Sequence, residues 1–223
     1  MSEEILVNVT PRETRVAVVE NGMLQELHIE RASRRGVVGN IYKGRVQRVM
    51  PGMQAAFVEI GLDRAAFLHA SDIHRVPAVQ AVESDEPAPP APTPPIGSLV
   101  HEGQEIVVQV VKDPIGSKGA RLTTQLSIPS RYLVFLPHSR VLGVSARIED
   151  EGERGRLKAI MAELANGSGQ GYIVRTNAEG QPDEALAEDV AYLRKAWDVI
   201  RESSASSKVG QRIYEDLALP LRA

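Results

Sequence analysis

Residues 36–70 read GVVGNIYKGRVQRVMPGMQAAFVEIGLDRAAFLHA, and this run decides the fold. Residues 39–50, GNIYKGRVQRVM, make one long strand or a bent pair, and Pro51-Gly52 turns the chain. QAAFVEIG (54–61) is the next strand, Leu62-Asp63-Arg64 the next turn, and AAFLHA (65–70) the strand after it. EIVVQVVK (105–112) and ARLTTQL (120–126) continue the pattern further on. Five short strands with glycine at the bends predict a small closed barrel of the OB type.

Between these runs lies VPAVQAVESDEPAPPAPTPPIG, residues 76–97. It is dense in Pro and Ala, lacks a hydrophobic period, and cannot bury enough to offset its ordering entropy. It reads as a mobile loop inserted in the barrel rather than as a linker, because barrel-like strands resume directly after it. Upstream, residues 5–9, 14–20 and 24–30 form a β-meander, with Asn21-Gly22 as the hairpin turn between the last two strands. Three strands alone stabilise themselves poorly, so the meander is expected to complete its sheet with partners elsewhere. Downstream, residues 130–180 look α+β. RYLVFLP is an apolar strand, and Leu157, Ile160, Met161 and Leu164 fall at helical spacing. GQGYIVRTNAEG is a further strand. A long helix follows Asp183, read as its N-cap, with Leu186, Val190, Leu193, Trp197 and Ile200 on one stripe. Ser203–Lys208 is a polar break, and a further helix is expected from Gln211 to Leu221. The fold class is therefore α+β with several subdomains.

The composition narrows the function classes. The 223 residues carry a net charge of −3, which argues against nucleic acid only weakly, since binding follows the local field. No cysteine is present, so thiolate metal sites and disulfides are excluded within this sequence. The first residues carry acids and no long apolar run, unlike a signal peptide, and no stretch approaches the ~20 apolar residues of a membrane span. A cytoplasmic protein of bacterial type is the expectation.

Residues 31–49 hold Arg31, Arg34, Arg35, Lys43, Arg45 and Arg48 without one acid. Such a run is either a basic patch for a polyanion or a charged edge that discourages sheet pairing. Phe57 and Phe67 sit one per neighbouring strand in a chain that is only 4% aromatic. A Phe between Ala and Val is ordinarily core. The adjoining cations, with Lys112 and Lys118 in VKDPIGSKGARL, tip the reading towards stacked bases. Arg175-Thr176 couples a guanidinium fork to a hydroxyl, which suits phosphate oxygens, yet spacing alone leaves an exposed strand-end Arg equally open. A phosphodiester hydrolase needs carboxylates that hold metal ions. The acids here fall in SDEP, EDEGE and DEALAED, which read as loops and solvated helix faces. No GxxxxGK, GxSxG or HExxH motif occurs, and His69 and His74 lack a partner carboxylate at ligand spacing. No catalytic or metal-ligating residue is assigned.

The run from EILVNV to FLHASDI, then VKDPIGSKGARLTTQLSIPSRYLVFLP, GVSARIE and GYIVRTNAEG, resembles the ribonuclease E/G family in order, and its G branch more than its E branch. The resemblance spans nearly the whole chain apart from the Pro-rich insertion. It implies a map: residues 1–35 as the first part of an RNase H-like scaffold, 36–122 as an S1-type OB barrel, 123–210 as a 5′ sensor, and 211–223 as the resumed scaffold. It implies that Phe57, Phe67 and Lys118, and less firmly Lys112, contact RNA; Arg34, Lys43 and Arg45 of the basic run are read as supporting cations beside them. It further implies that Arg175, Thr176 and the backbone N–H of Val134 hold a 5′-monophosphate, beside Ser130 and Arg147. Ser130 stands where the E branch has glycine, and Ala146 where it has arginine. The implied activity is endonucleolytic hydrolysis of single-stranded A/U-rich RNA in rRNA processing and mRNA decay. Magnesium would serve catalysis, and a zinc link would organise a homo-dimer or tetramer. Those metal ligands have no counterpart here, so the chain is expected to stop before the catalytic subdomain and not to cut RNA. The unclosed meander and the final helix lacking a cap favour that over a free-standing non-catalytic RNA-binding module.

Overall fold

The computed structural model describes residues 2–74 and 93–222. Strands β1 (Glu3–Val9), β2 (Glu13–Glu20) and β3 (Met23–Arg31) form the antiparallel meander, β2 in the centre. Asn21 and Gly22 both take positive φ, as the two-residue hairpin turn requires. The expected partner strands do not join it among the described residues. Ile5, Leu6, Leu24, Leu27 and Ile29 are all at least half exposed, and only Val16 is fully buried.

The barrel follows. It comprises β4 (Ile41–Met50), β5 (Ala55–Glu59), β6 (Ala66–His69), a short helix α1 (Ile96–Leu99), β7 (Glu105–Lys112) and β8 (Arg121–Thr123). The strand order β4-β5-β6-β8-β7 closes through β4–β7, and β6 and β8 run parallel. Val46, Ala56, Val58, Leu68, Val108, Val110 and Leu122 fill the interior. The insertion read as 76–97 lies outside the described residues up to 92. Its end is corrected: Ile96 is fully buried in the barrel core, and its N–H donates to the Gln54 side chain (2.9 Å). One isoleucine in a Pro/Ala-rich run carries no period, so the sequence pattern could not mark it as core.

The second unit is a sheet of β9 (Ile128–Pro129), β10 (Leu133–Leu136), β11 (Leu142–Val144) and β12 (Gly171–Val174), in the order β11-β12-β10-β9. Helix α2 (Glu151–Ala165) lies between β11 and β12 in the chain, and α3 (Asp183–Ser206) follows β12. Leu157 and Met161 of α2 and Leu186, Val190, Leu193 and Ile200 of α3 pack with Leu133, Phe135, Tyr172 and Val174. Asp150 caps α2 by accepting the Glu153 N–H (2.6 Å). The expected cap of α3 is corrected. Pro182 occupies the N-cap and Asp183 is the first helical residue, its carboxylate paired with Arg156 (2.8 Å). The helix also runs four residues into the expected polar break, to Ser206, because serines do not forbid helix.

The expected helix from Gln211 is a strand instead, β13 (Arg212–Tyr214), followed by the short α4 (Leu219–Arg222). β13 pairs antiparallel with β4, Arg212 opposite Tyr42 and Tyr214 opposite Ile41. Backbone groups of β4 that face away from β7, ahead of the stretch paired with β5, gain partners this way: Lys43 N–H reaches Gln211 O, and Gly210 N–H reaches Lys43 O. Gly61 makes room for the approach. A β-carbon there would lie 2.2 Å from the Gly210 carbonyl oxygen.

Candidate nucleic-acid interface

Register decides which side chains share the outside of the barrel. Arg48 on β4 is opposite Phe57 on β5, Phe57 opposite Phe67 on β6, Phe67 opposite Arg121 on β8, and Arg121 opposite Lys112 on β7. These five residues cross the barrel as one row. The neighbours of the rings along each strand, Ala56, Val58, Ala66 and Leu68, are fully buried, whereas both rings are only partly so. The phenylalanines therefore point outward, and the core alternative is set aside. Their centroids are 6.2 Å apart at 72°, an edge contact. His69, the next outward residue of β6, lies 6.4 Å from Phe67 at 29° and extends the aromatic strip. Arg121 is steadied by Asp72, with Nε and Nη2 at 2.9 and 2.8 Å from one carboxylate oxygen. Lys112 and Arg48 are exposed. Two ring faces with cations at both ends of the row offer stacking surfaces for bases and counter-charges for phosphates.

The other predicted cations are placed differently. Lys43 and Arg45 both pair with Glu105, at 3.4 and 3.2 Å, and Arg45 then Lys43 hold that carboxyl below the usual carboxylate range. They lie earlier on β4 than Arg48 and do not enter the row. Arg34 falls in a single 3-10 turn after β3, and Lys118 is exposed in the hairpin that leads into β8. Arg48 and Arg121, which complete the row, carried no signal beyond being basic, because strand register is invisible in the sequence.

A second group gathers at one end of the α/β sheet. Val174, the last residue of β12, is flanked by Leu133 on β10 and Val144 on β11. Arg175 and Thr176 leave that end. Arg175 N–H donates to the Tyr132 carbonyl (2.8 Å), and its Nη1 donates to the Ser130 carbonyl (2.6 Å). Val134 is on β10 opposite Ile173. On the other flank, Ser145 N–H donates to the Val174 carbonyl (2.9 Å), and the exposed Arg147 follows two residues later. Arg154 of α2 fastens this turn through the carbonyls of Ser145 (2.7 Å) and Ile148 (3.0 Å). The loop after Thr176 is fastened too. Glu153 accepts the Gly180 N–H (2.9 Å) and pairs with Arg156 (2.7 Å), and these contacts, Arg156 first, bring its carboxyl down to about 2. Ser130, Val134, Arg147, Arg175 and Thr176 thus converge on one sheet end, although they span 47 positions of the chain. One edge of the Arg175 guanidinium is committed to a carbonyl while the residue as a whole remains exposed, which leaves donors for a ligand.

Sequence reasoning missed Asp189, set among acids that read as a solvated helix face. Its carboxylate turns inward and accepts from Ser130 Oγ (2.6 Å) and Tyr132 N–H (3.0 Å). Among the described residues no three His, Asp or Glu side chains gather where one metal ion could be held. With cysteine absent as well, the described residues do not fit the implied magnesium or zinc. Among the described residues no helix is long and apolar enough to cross a membrane.

Residues 127–223 match the model of the Ribonuclease E/G family, and residues 37–113 match that of the S1 RNA binding domain. Ribonuclease G of Salmonella typhimurium is 56% identical over 222 residues, and that of Escherichia coli 55% identical over 222 residues, each covering 100% of this chain. Ribonuclease G of Haemophilus influenzae is 52% identical over 219 residues, 98% of the chain. The chain spans 44–45% of the length of these relatives.

Proposed function

With the chain belonging to the ribonuclease E/G family and carrying an S1 domain, we propose that it is the RNA-binding and 5′-end-sensing part of a ribonuclease G-like endoribonuclease. The barrel row takes single-stranded RNA: bases stack on Phe57 and Phe67, and Arg48, Arg121 and Lys112 meet the phosphates, with Lys118 close by. The single observation that carries this reading is the register that lines up two outward rings with three cations. An unpaired strand can lay its bases flat on such a surface, whereas a duplex hides its base faces.

The sheet end takes the terminal phosphate. Arg175 supplies a guanidinium fork already oriented by the Ser130 carbonyl, and Thr176 a hydroxyl, with Arg147 at the rim; the expected Val134 N–H donor is instead committed to Ile173 across the ladder. A monophosphate fits a small polar socket that a triphosphate would overfill. The rest of the family map is proposed with it. Residues 1–35 and 211–223 form one RNase H-like scaffold, a grouping supported by α4 lying against β2. Residues 36–122 form the S1 barrel and 123–210 the 5′ sensor. Hydrolysis of A/U-rich RNA in rRNA processing and mRNA decay, its magnesium, the zinc link, homo-oligomerisation and the cytoplasmic setting are proposed for the full-length protein. This chain is proposed to bind without cutting.

The test is Arg175→Ala with two RNAs of one sequence, one carrying a 5′-monophosphate and the other a 5′-hydroxyl. The variant loses the preference for the phosphate and keeps its affinity for the hydroxyl form. An unchanged preference would remove the sensor from the proposal.

A further inference from the structure

Arg175 can recognise a phosphate well only if its guanidinium waits in one orientation, since an unrestrained arginine must give up rotamer freedom on binding. That orientation comes from the Ser130 carbonyl, so whatever holds Ser130 also holds Arg175. The turn between β9 and β10 is held in part by its own backbone, with Ser130 N–H donating to the Leu133 carbonyl (2.8 Å). It is also held from α3. One oxygen of Asp189, Oδ2, accepts both the Ser130 hydroxyl at 2.6 Å and the Tyr132 N–H at 3.0 Å. These are the two residues whose carbonyls receive Arg175, Ser130 through Nη1 and Tyr132 through the backbone N–H. Asp189 itself cannot drift. Leu186, Val190 and Leu193 lie around it on α3 and are buried in the core at 0–3% exposure.

We propose that Asp189 is a positioning residue of the phosphate socket: through Ser130 and Tyr132 it fixes the turn whose carbonyls aim Arg175, and so sets the preference for a 5′-monophosphate. The inference rests on Arg175 being the phosphate ligand, as proposed above. The carboxylate does not touch the phosphate. It acts through two donors, the stronger kind of hydrogen bond because the acceptor is charged. The Ser130 hydroxyl supplies the shorter of the two bonds that bridge the turn to α3, and the Tyr132 N–H the other. The bridge ties a sheet-end loop to a helix of 24 residues, so the socket inherits the stiffness of the helical core.

The experiment uses the full 223-residue chain and measures the ratio of affinities for a 5′-monophosphorylated and a 5′-hydroxyl A/U-rich decamer RNA. Asp189→Ala cuts the ratio by about tenfold, the scale of one charge-assisted bond between Arg175 and the phosphate, while 5′-hydroxyl RNA binds as before. Asp189→Asn keeps an acceptor oxygen in place and retains most of the ratio. Ser130→Ala breaks one of the two bonds and falls between. In an Arg175→Ala background, Asp189→Ala has no further effect on the ratio, because the two residues act as a unit. Should Arg175→Ala leave the ratio unchanged, the socket itself is wrongly assigned. Should Arg175→Ala abolish the ratio while folded Asp189→Ala keeps it, or weakens both RNAs equally, Asp189 is only structural and the inference is overturned. If Asp189→Ala does not fold, Ser130→Ala decides: a ratio equal to that of the unaltered chain overturns the inference.

Discussion

Truncating Phe67 to alanine separates an RNA-facing ring from a core ring. A buried phenylalanine costs about 3–5 kcal/mol of stability when cut to alanine. Phe67 has less to lose. The fully buried positions of β6 belong to Ala66 and Leu68, and the ring gains its contacts from Phe57 at 6.2 Å and His69 at 6.4 Å on the barrel surface. An edge contact of that kind contributes about 0.5–1.5 kcal/mol. With its partial burial added, the stability loss should stay near ~2 kcal/mol. The RNA side should lose about 1–3 kcal/mol for one stacked base, a factor of roughly 5 to 150 in Kd. Phe67→Leu should return most of the stability, since it restores apolar bulk, but not the affinity, since it offers no flat face. Urea unfolding reads the first quantity and fluorescence anisotropy with a dye-labelled A/U-rich RNA the second. A stability loss of about 4 kcal/mol with unchanged RNA affinity would refute the outward placement and the stacking role together.

Further expectations follow from single features. Lys112→Ala should weaken RNA binding and flatten its salt dependence by about 0.7 in the log–log slope, the share of one phosphate contact on a single strand; an unchanged slope would take Lys112 off the phosphate path. Tyr172 is fully buried with no hydrogen-bond partner for its hydroxyl among the described residues, so Tyr172→Phe should leave the melting temperature unchanged or raise it; a clear drop would reveal a hidden partner. Burial, and then His74 beside it at 5.5 Å between ring centroids, push the pKa of His138 below its ordinary 6.5. The unfolded chain therefore takes up that proton first, so stability present above pH ~6.5 is lost as pH falls through that value towards the folded pKa. His138→Gln should flatten that part of the melting profile measured from pH 8 to 5.

The barrel was legible because its turns are spelled out locally, at Pro51-Gly52 and Leu62-Asp63-Arg64, between short strands with glycine at the bends. The meander turn at Asn21-Gly22 was legible for the same reason. What the sequence could not carry was pairing between distant segments. Arg121 joins Phe67 only through a parallel pairing of β6 with β8, and irregularities at Val46/Arg48 and Val110/Lys112 shift the register of the flanking strands. Residues 212–214 look helical in isolation and become a strand because β4, some 170 positions earlier, offers an edge. Of the socket, Arg175 and Thr176 were recognisable by resemblance. Asp189 was not, because an acid in a run of acids reads as solvated until the helix is rotated into place against the β9–β10 turn.

The most direct measurement pits the unaltered chain against two A/U-rich RNAs that differ only at the 5′ end, monophosphate or hydroxyl, with magnesium present and RNA length followed on a gel. The account predicts tighter binding of the monophosphate and full-length RNA at the end of the incubation. Equal binding of the two RNAs would contradict the sensor, and magnesium-dependent shortening would contradict the proposal that this chain binds without cutting.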